Sequence, residues 1–399
     1  MQNWIMRLES AIMEKIYKLN NQIKNYEWGS SHLIPQFLGM KDYKKVPYAE
    51  MWMGTHGGAP SQIEPCYNDV NPNEKKYLNE LSGELPFLFK LIAVEKQLSI
   101  QAHPNKEQAV EGYRQEEEAG IALNAPRRNY KDTNHKPEIL CAISPFTLMA
   151  GFREYEQIKS SLDSFALMFP QLKEIIASLI KAVNTDSLAV FFRFLFNLSN
   201  LEREYINKLI LEKEKSETDG VISSEQWNLI KEFASQYPGD PAILSPLYLN
   251  LITLKPGDAI YVPAGILHSY SKGFGVELMA ASDNVLRSGL TPKYIDIPQL
   301  MGIVNYNPYM PEIITPDSSS WFCYKTPCRE FVLALMRYSG GENVFPAKGP
   351  AICIVTEGEL AAGGAKVKKG ESFFIPAGKE SVVLRGNYTL FAAITADAV

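Results

Sequence analysis

The chain has 399 residues, of which 46% are hydrophobic and 21% are charged, and its formal net charge at pH 7 is −5. This composition describes a globular chain long enough for two or three domains, and it excludes fibrous and disordered classes. The acidic balance gives no overall field that would attract nucleic acid, so we expect no nucleic-acid partner.

The start of the chain and the cysteines indicate the compartment. Residues 1–12 lack the continuous apolar core of a signal peptide, so we expect no export. This N-terminal extension is either a short helix or sequence that precedes the true start. The cysteines are odd in number and scattered, which favours reduced packing cysteines and a cytoplasmic location over a disulfide framework. They are Cys66, Cys141, Cys323, Cys328 and Cys353.

Polar and apolar residues alternate from residue 98 to residue 103, a pattern typical of a strand with one polar face. Ser99, Gln101 and His103 would share that face. Further along the chain, Glu138 directly precedes an apolar run at residues 139–143. These polar side chains therefore lie at or near the ends of predicted strands.

The pattern changes after Arg153, where strand-like alternation gives way to helical periodicity that continues to about residue 240. Ser199 and Ser223 are each followed three residues later by an acidic or amide residue, the spacing of a capping box. We therefore interpret both serines as helix caps and not as nucleophiles. The longest apolar stretch, residues 188–196, contains Arg193 and is too short to span a bilayer, so we expect no membrane partner.

Short β-type segments return from Ser245 onward, and one of them is repeated. Residues 255–265 align with residues 368–378, and both copies end in Pro-Ala-Gly. The third residue after that glycine is His268 in the first copy and Ser381 in the second. The repeat looks like a cupin half-motif whose second copy has lost its metal-binding imidazole.

Three of these stretches together supply a candidate metal set, which consists of Gln101, His103, Glu138 and His268. Two imidazoles, a carboxylate and an amide oxygen suit Zn²⁺ or another divalent first-row ion and leave positions open for water or substrate. Glutamine is an uncommon zinc ligand, so Gln101 is the weakest member of the set. Each side chain taken alone could equally be an ordinary buried polar residue.

Several multi-residue blocks resemble those of type I phosphomannose isomerases and follow that family's order. The blocks are residues 49–56 (AEMWMGTH), 85–90 (LPFLFK), 99–104 (SIQAHP), 134–138 (NHKPE), 151–153 (GFR) and 282–293 (SDNVLRSGLTPK). The resemblance extends from about Leu19 to Asp296, with a weaker tail beyond. Blocks of this length are far more specific than a single glycine motif.

The resemblance implies a mainly β fold with a helical insertion, namely a bicupin of two jelly-roll β-barrels plus an α-helical domain. The catalytic jelly roll would be discontinuous, formed by residues 13–152 and 244–310. Residues 153–243 would form the helical insertion, and residues 311–399 a degenerate C-terminal jelly roll without metal. Such closed double-sheet folds offer an interior cavity where side chains from several strands converge.

The implied activity is the reversible isomerisation of mannose 6-phosphate and fructose 6-phosphate, with one Zn²⁺ per chain held by the four candidate ligands. A proton would move between C2 and C1 through an enediol(ate), which requires nearby positive charge and a base. Arg287 is suited to stabilising the enediolate or to gripping the phosphate. The partner is therefore a small sugar phosphate; the oligomeric state stays open, with a monomer as one option.

The proton carrier is open among four residues, namely Lys136, His135, Asp283 and Glu277. Ser99, Lys90 and Lys293 are similar to substrate-binding positions of the family, and Trp28 or Trp52 could stack beneath a sugar. Several of these residues have an alternative role in structure or in binding. Glu277 could pair with Arg287 or Lys136, Lys136 could contact phosphate, Lys293 could be a surface lysine, and one tryptophan could be core. We interpret His56 as a hydrogen-bonded residue that lines or supports the pocket.

Three rival functions remain. A metal-containing cupin could bind a sugar phosphate as a sensor without turnover, because the fold serves many purposes. The chain could instead isomerise a different phosphorylated aldose. A joined nucleotidyltransferase has no support, since no glycine-rich nucleotide loop precedes the cupin region and too few residues remain for such a domain. Arg287 and Lys136 beside an intact ligand set favour the enzyme.

Overall fold

A computed structural model describes residues 16–64, 76–183, 188–213, 221–346, 348–378 and 382–396. Within these ranges the chain is mainly β, with antiparallel pairing along its sheets and a group of helices between residues 155 and 236. The predicted extension at residues 1–12 lies outside the described residues, as do Cys66 and Ser381.

The strands are β1 (Tyr17–Asn20), β2 (Gln22–Lys24), β3 (Glu50–Met53), β4 (Gln62–Ile63), β5 (Lys76–Tyr77), β6 (Phe87–Val94), β7 (Ile100–Ala102), β8 (Glu138–Ala142), β9 (Phe146–Phe152), β10 (Leu249–Leu254), β11 (Ala259–Val262), β12 (His268–Ala280), β13 (Leu286–Gly289), β14 (Ile313–Ile314), β15 (Trp321–Tyr324), β16 (Val332–Val344), β17 (Ala351–Ala362), β18 (Ala365–Lys368), β19 (Ser372–Ile375) and β20 (Val383–Ile394). The helices are α1 (Leu33–Phe37), α2 (Leu78–Ser82), α3 (Lys106–Glu118), α4 (Tyr155–Met168), α5 (Lys173–Val183), α6 (Ala189–Phe196), α7 (Asn200–Glu212), α8 (Ser224–Gln236), α9 (Ser245–Tyr248) and α10 (Ile297–Ile303). Short 3-10 turns occupy Pro170–Leu172 and Pro241–Leu244.

The long strand β12 joins two layers of one sheet, which we call the site sheet. Residues 273–280 of β12 pair with β6 and β8, in the order β14-β11-β8-β12-β6-β3-β2. Residues 268–272 of the same strand pair with β9 and β7, which are flanked by β10 and β13. Apolar side chains from both layers share one core, for example Ile92, Leu140, Leu148 and Ile252. The two layers therefore face each other across that core.

A second sheet packs against the other side of the site sheet. Its strand order is β15-β16-β20-β17-β19-β1-β4-β5, with β18 paired to β17. Leu91 of β6 and Phe391 of β20 belong to the common core between these sheets. Strand β1, which comes early in the chain, pairs with β19 of the C-terminal segment. Strand β1 thus links β4 and β5 to the strands that residues 321–394 contribute to this sheet.

The helices between residues 155 and 236 cover the layer formed by β7 and β9. Their core includes Ile100 and Phe152 from that layer together with Phe165 and Phe192 from the helices. The capping prediction is confirmed, because Ser199 Oγ accepts the N–H of Glu202 at 3.3 Å and Ser223 Oγ accepts that of Gln226 at 3.1 Å. Among the described residues no helix is both long and apolar enough to cross a membrane.

The segments that repeat in sequence also share a turn. Gly257 and Gly370 have φ angles of 93° and 87°, which favour glycine because it lacks a Cβ. In the first copy the Lys255 N–H donates to Asp258 Oδ2 at 3.0 Å, and in the second the Lys368 N–H donates to a carboxylate oxygen of Glu371 at 3.0 Å. Each turn leads into a short strand, β11 or β19. The repeat therefore extends from sequence to local backbone structure.

Candidate metal and substrate site

Alternation along the strands brings polar side chains to one face of the site sheet. In β6, Phe89 and Leu91 lie in the core shared with the second sheet, so Lys90 between them points to the opposite side, where it lines a cavity. Glu138 at the start of β8 and Glu277 in β12 line the same cavity. Strands far apart in sequence therefore converge on one site.

His103, Glu138 and His268 form a buried group that could hold a metal ion. His103 Nε2 lies 3.3 Å from Glu138 Oε1, and His268 Nε2 lies 3.3 Å from Glu138 Oε2. The three ligand atoms all lie within 4.8 Å of one another. Each of the three residues is 1% exposed. Two imidazoles and a carboxylate at this spacing match the donor set of a zinc site.

The backbone fixes the orientation of both imidazoles. His103 Nδ1 lies 2.7 Å from the carbonyl of Asn284, and His268 Nδ1 lies 2.9 Å from that of Ile266. A carbonyl only accepts, so each Nδ1 carries the proton and each Nε2 keeps a free lone pair. His103 Nε2 is buried and has no hydrogen-bond partner among the described residues. A buried lone pair of this kind, next to a second imidazole and a carboxylate, is suited to binding a cation.

The charge state of the group is also suited to metal binding. Burial, followed by the nearby Lys136 ammonium, lowers the pKa of His103 to about 4, so this imidazole is neutral near pH 7. Burial alone would raise the pKa of Glu138, but its charged surroundings, the Lys136 ammonium first, hold that pKa well below its usual range. Lys136 Nζ lies 2.9 Å from Glu138 Oε1. Neutral imidazole and ionised carboxylate are the forms that bind a metal.

Gln101 lies next to this group. In the strand register it is opposite His268 of β12 on one side and opposite Arg287 of β13 on the other. Its amide lies 3.4 Å from His268 Nε2. The oxygen and nitrogen of a glutamine amide exchange places by a half-turn, so the oxygen can be directed at the same point. Gln101 is thus available as a further ligand.

A second buried network surrounds Lys90. Its Nζ lies 2.9 Å from Glu277 Oε2 and 3.5 Å from Glu50 Oε1, and Trp52 Nε1 donates to Glu50 Oε2 at 2.6 Å. Burial alone would lower the pKa of Lys90, but the two carboxylates raise it above its ordinary value. Burial raises the pKa of Glu277, with Lys90 opposing the change. One ammonium therefore sits between two carboxylates inside the cavity wall.

The cavity has a volume of about 900 Å³ and opens to solvent. Lys131, Arg287 and Lys293 line it, and none of them forms an ion pair with another described residue. Burial lowers the pKa of Arg287, and burial together with Arg287 and Lys131 lowers that of Lys293. These cations are close enough to repel one another. A bound anion would relieve that repulsion.

The remaining candidates divide into two groups. Ser99, Trp28 and Asp283 line the cavity. His135 is not among the lining residues, and its Nε2 lies 2.6 Å from a carboxylate oxygen of Glu330 instead.

The structure also places Trp52, one of the two tryptophans for which a core role was open, and His56, which we expected to line or support the pocket. Trp52 lines the cavity. His56 lies behind it, with its ring centroid 4.9 Å from that of Trp52 and its Nε2 3.3 Å from Asp283 Oδ2. The hydrogen bond to His56 lowers the pKa of Asp283.

Sequence reasoning missed several lining residues. Glu50 lies in the block at residues 49–56, but nothing in its local sequence marks it as a residue of the site. Lys131 looks like any surface lysine in sequence. Tyr237 follows the last helix of the helical segment, and Tyr270 lies in β12 with its hydroxyl 3.5 Å from Glu138 Oε2. Only the tertiary structure brings these residues to the site, so no local pattern could have identified them.

Comparisons with known proteins agree with this geometry. A family model described as phosphomannose isomerase type I, catalytic domain, matches residues 16–155. The mannose-6-phosphate isomerase of Escherichia coli (strain K12) is 35% identical over 388 residues, which cover 93% of this chain and 97% of the relative.

Solved structures give the same result. A crystal structure of a mutant phosphomannose isomerase from Salmonella typhimurium aligns with a TM-score of 0.83 and 33% identity, covering 95% of this chain and 99% of that one. A crystal structure of mannose 6-phosphate isomerase in a zinc-bound holo form aligns with the same TM-score, identity and coverage.

Proposed function

The chain belongs to the type I phosphomannose isomerase family, and on this basis we propose that it interconverts mannose 6-phosphate and fructose 6-phosphate with the aid of one zinc ion. The observation that carries the proposal is a single cavity that combines two kinds of chemistry. Glu138 lines it and belongs to the buried group with His103 and His268, while Arg287 and Lys293 line it without an ion pair to another described residue. A metal-dependent isomerase of a phosphorylated sugar needs both.

We assign the zinc ion to Gln101, His103, Glu138 and His268. Two observations support this assignment. His103 Nε2 has no hydrogen-bond partner among the described residues, and the lowered pKa of Glu138 keeps its carboxylate ionised. When bound, zinc supplies Lewis-acid polarisation of sugar oxygens and orients the substrate. The carbonyls of Asn284 and Ile266 keep both imidazoles in the tautomer that binds metal.

Glu277 is our choice for the group that moves the proton between C2 and C1. A base for this step works best when its pKa is raised toward neutrality, and burial raises that of Glu277. The carboxylate takes the proton from C2, which leaves an enediolate; the proton of the 2-hydroxyl passes to O1, and the protonated carboxyl group then returns its proton to C1, which gives the ketose. Lys90, at 2.9 Å, keeps the buried carboxylate ionised before the transfer. Asp283 contacts His56, and His135 contacts Glu330, so both are less suitable as the proton carrier.

The cationic residues of the cavity have separate roles. Arg287 lies opposite Gln101 in the strand register, so it is close to the metal ligands and is suited to stabilising the enediolate. Lys293 and Lys131 hold the phosphate. Lys136 contacts Glu138 at 2.9 Å and adds positive charge beside the reacting oxygens. Ser99 and Trp28 contact the sugar from the cavity wall.

The finer features of the fold are also proposals. We propose a bicupin of two jelly rolls, supported by the repeated turn at Gly257 and Gly370. The boundaries remain residues 13–152 with 244–310, then 153–243 and 311–399, and the pairing of β1 with β19 shows that the first strand contributes to the C-terminal sheet. A cytoplasmic location and a monomeric state complete the proposal.

A substrate panel separates this function from its rivals. We expect the purified, zinc-loaded protein to convert mannose 6-phosphate much faster than glucose 6-phosphate or unphosphorylated mannose. Tight sugar-phosphate binding without turnover would favour a sensor, and preferential turnover of another phosphorylated aldose would replace the substrate. Running the reaction in D₂O tests the enediolate, which predicts deuterium at C1 of fructose 6-phosphate. A direct hydride shift would leave C1 free of deuterium.

A further inference from the structure

A strained turn carries the cationic residues of the site. Leu290 has a φ angle of 52°, and it is the one non-glycine residue in the described ranges with a positive φ. A bulky side chain rarely adopts this conformation, so the surrounding structure must hold it. Leu290 lines the cavity, and the same short segment carries Arg287 and Lys293. The conformation of Leu290 therefore sets the course of the chain between Arg287 and Lys293.

Asp240 holds the turn from the helical segment. Its Oδ2 accepts the N–H of Leu290 at 2.7 Å, while its Oδ1 accepts the N–H of Ala242 at 2.8 Å. A hydrogen bond to an ionised carboxylate is stronger than one to a neutral acceptor. Asp240 follows α8 and Gly239, and it does not line the cavity. It therefore acts on the site only through the backbone that it binds.

The two turns also fit closely against each other. A Cβ added at Gly289 would lie 2.3 Å from Ala242 Cβ and 2.8 Å from Asp240 Oδ1, so only glycine allows this approach. The side chain of Leu290 is 1% exposed and belongs to the core formed by the helices. The turn is thus fixed on its backbone side by Asp240 and on its side-chain side by the helical core.

We propose that Asp240 is a positioning residue for the isomerisation, which holds the left-handed turn at Leu290 and thereby places Arg287 and Lys293 against the substrate. This inference rests on the proposed function and extends it. It gives the helical segment an indirect part in substrate binding, through the backbone that Asp240 holds. Pairing with Gln101 also holds Arg287, whereas Lys293, which is assigned to the phosphate, lies beyond the turn. Loss of the hold should therefore weaken substrate binding more than it slows the chemical step.

Asp240→Asn tests the proposal, because asparagine is nearly isosteric but offers only one acceptor oxygen for the two N–H donors. We expect KM for mannose 6-phosphate to rise about tenfold, with a smaller change in kcat and unchanged zinc per chain. The matched control is Asp258→Asn, which removes a buried carboxylate that also accepts a turn N–H, from Lys255 at 3.0 Å, away from the cavity. That control should lower the thermal midpoint and leave KM unchanged.

A double-mutant cycle with Lys293→Ala distinguishes positioning from general destabilisation. If Asp240 acts through this segment, the two substitutions are not additive, and the double variant raises KM little more than the worse single variant. Additive effects, about a hundredfold when each single change is about tenfold, would overturn the proposal. So would an unchanged KM in Asp240→Asn. If wild-type protein fails to turn over mannose 6-phosphate, the proposed function fails instead.

A second variant perturbs the same contact from the other side. Gly289→Ala forces a Cβ into the space between Ala242 and Asp240 and leaves the carboxylate in place. It should reproduce the rise in KM with retained zinc, and it decides the matter if Asp240→Asn does not fold. A folded Gly289→Ala protein with wild-type KM would contradict the proposal.

Discussion

Replacing Lys90 with methionine tests the proposed base directly. Lys90 Nζ lies 2.9 Å from Glu277 Oε2 and 3.5 Å from Glu50 Oε1, and its side chain is 8% exposed. Removing one partner of a buried ion pair costs about 3–5 kcal/mol, because the remaining charge is left unpaired. Since about 1.4 kcal/mol corresponds to one pKa unit, a cost of about 3 kcal/mol would raise the pKa of Glu277 by about two units.

The assay is the pH dependence of kcat/KM for mannose 6-phosphate. A base must be ionised, so we expect the acidic limb of the profile in Lys90→Met to move upward by about two pH units, with activity partly recovered at high pH. Lys96→Met is the matched control, since Lys96 also lines the cavity but forms no ion pair with another described residue. Its profile should match that of the wild type.

Stability gives an independent measure of the same perturbation. In Lys90→Met the folded chain holds the Glu277 proton more tightly than the unfolded chain does, so its stability should decrease as the pH rises through the raised pKa. Urea unfolding at pH 5 and pH 8 measures this slope. Adding Glu277→Gln should restore stability while leaving the enzyme inactive. If Lys90→Met had the pH–rate profile of the wild type and the same dependence of stability on pH, the roles assigned to Glu277 and Lys90 would be refuted.

Three further predictions address the metal group and the helices. His268→Ala should lose zinc and activity together, whereas Arg287→Ala should lose activity with zinc and fold retained; activity in a zinc-depleted His268→Ala protein would contradict the zinc assignment. The pKa of His103 is lowered from 6.5 to about 4, so the unfolded chain binds more protons between these values. Metal-free protein should therefore lose stability as the pH falls from 6.5 to 4, and His103→Gln should show a weaker dependence in urea titrations. Ser223→Ala should cost about 1 kcal/mol of unfolding free energy through loss of a helix cap, with kcat unchanged; an unchanged urea midpoint would contradict this cap.

The metal group was accessible from sequence because its members occur in short, recognisable blocks. Alternation around Gln101 predicted a strand, and the structure has β7 at Ile100–Ala102, with His103 just beyond its end. The helix caps at Ser199 and Ser223 were equally local, since a capping box is complete within four residues. Features decided by neighbours in sequence could therefore be predicted before the fold was known.

Features decided by strand pairing could not be predicted in this way. Glu277 was considered as a partner for Arg287 or Lys136, whereas in the structure it pairs with Lys90, 187 residues away. His135 was a candidate proton carrier, yet it contacts Glu330, which follows the site sheet in the chain. The hydrogen bond from the Leu290 N–H to Asp240 connects the helical segment to the site. Each of these contacts depends on register and packing, which no local pattern encodes.

The most direct test of the account is the rate at which purified protein forms fructose 6-phosphate from mannose 6-phosphate before chelation, after chelation and after zinc is restored. We predict turnover that disappears with the metal and returns with zinc, while the helix and strand content stays constant by circular dichroism. Turnover that persists in demonstrably zinc-free protein, or none in zinc-loaded protein that still binds the sugar phosphate, would contradict the central claim.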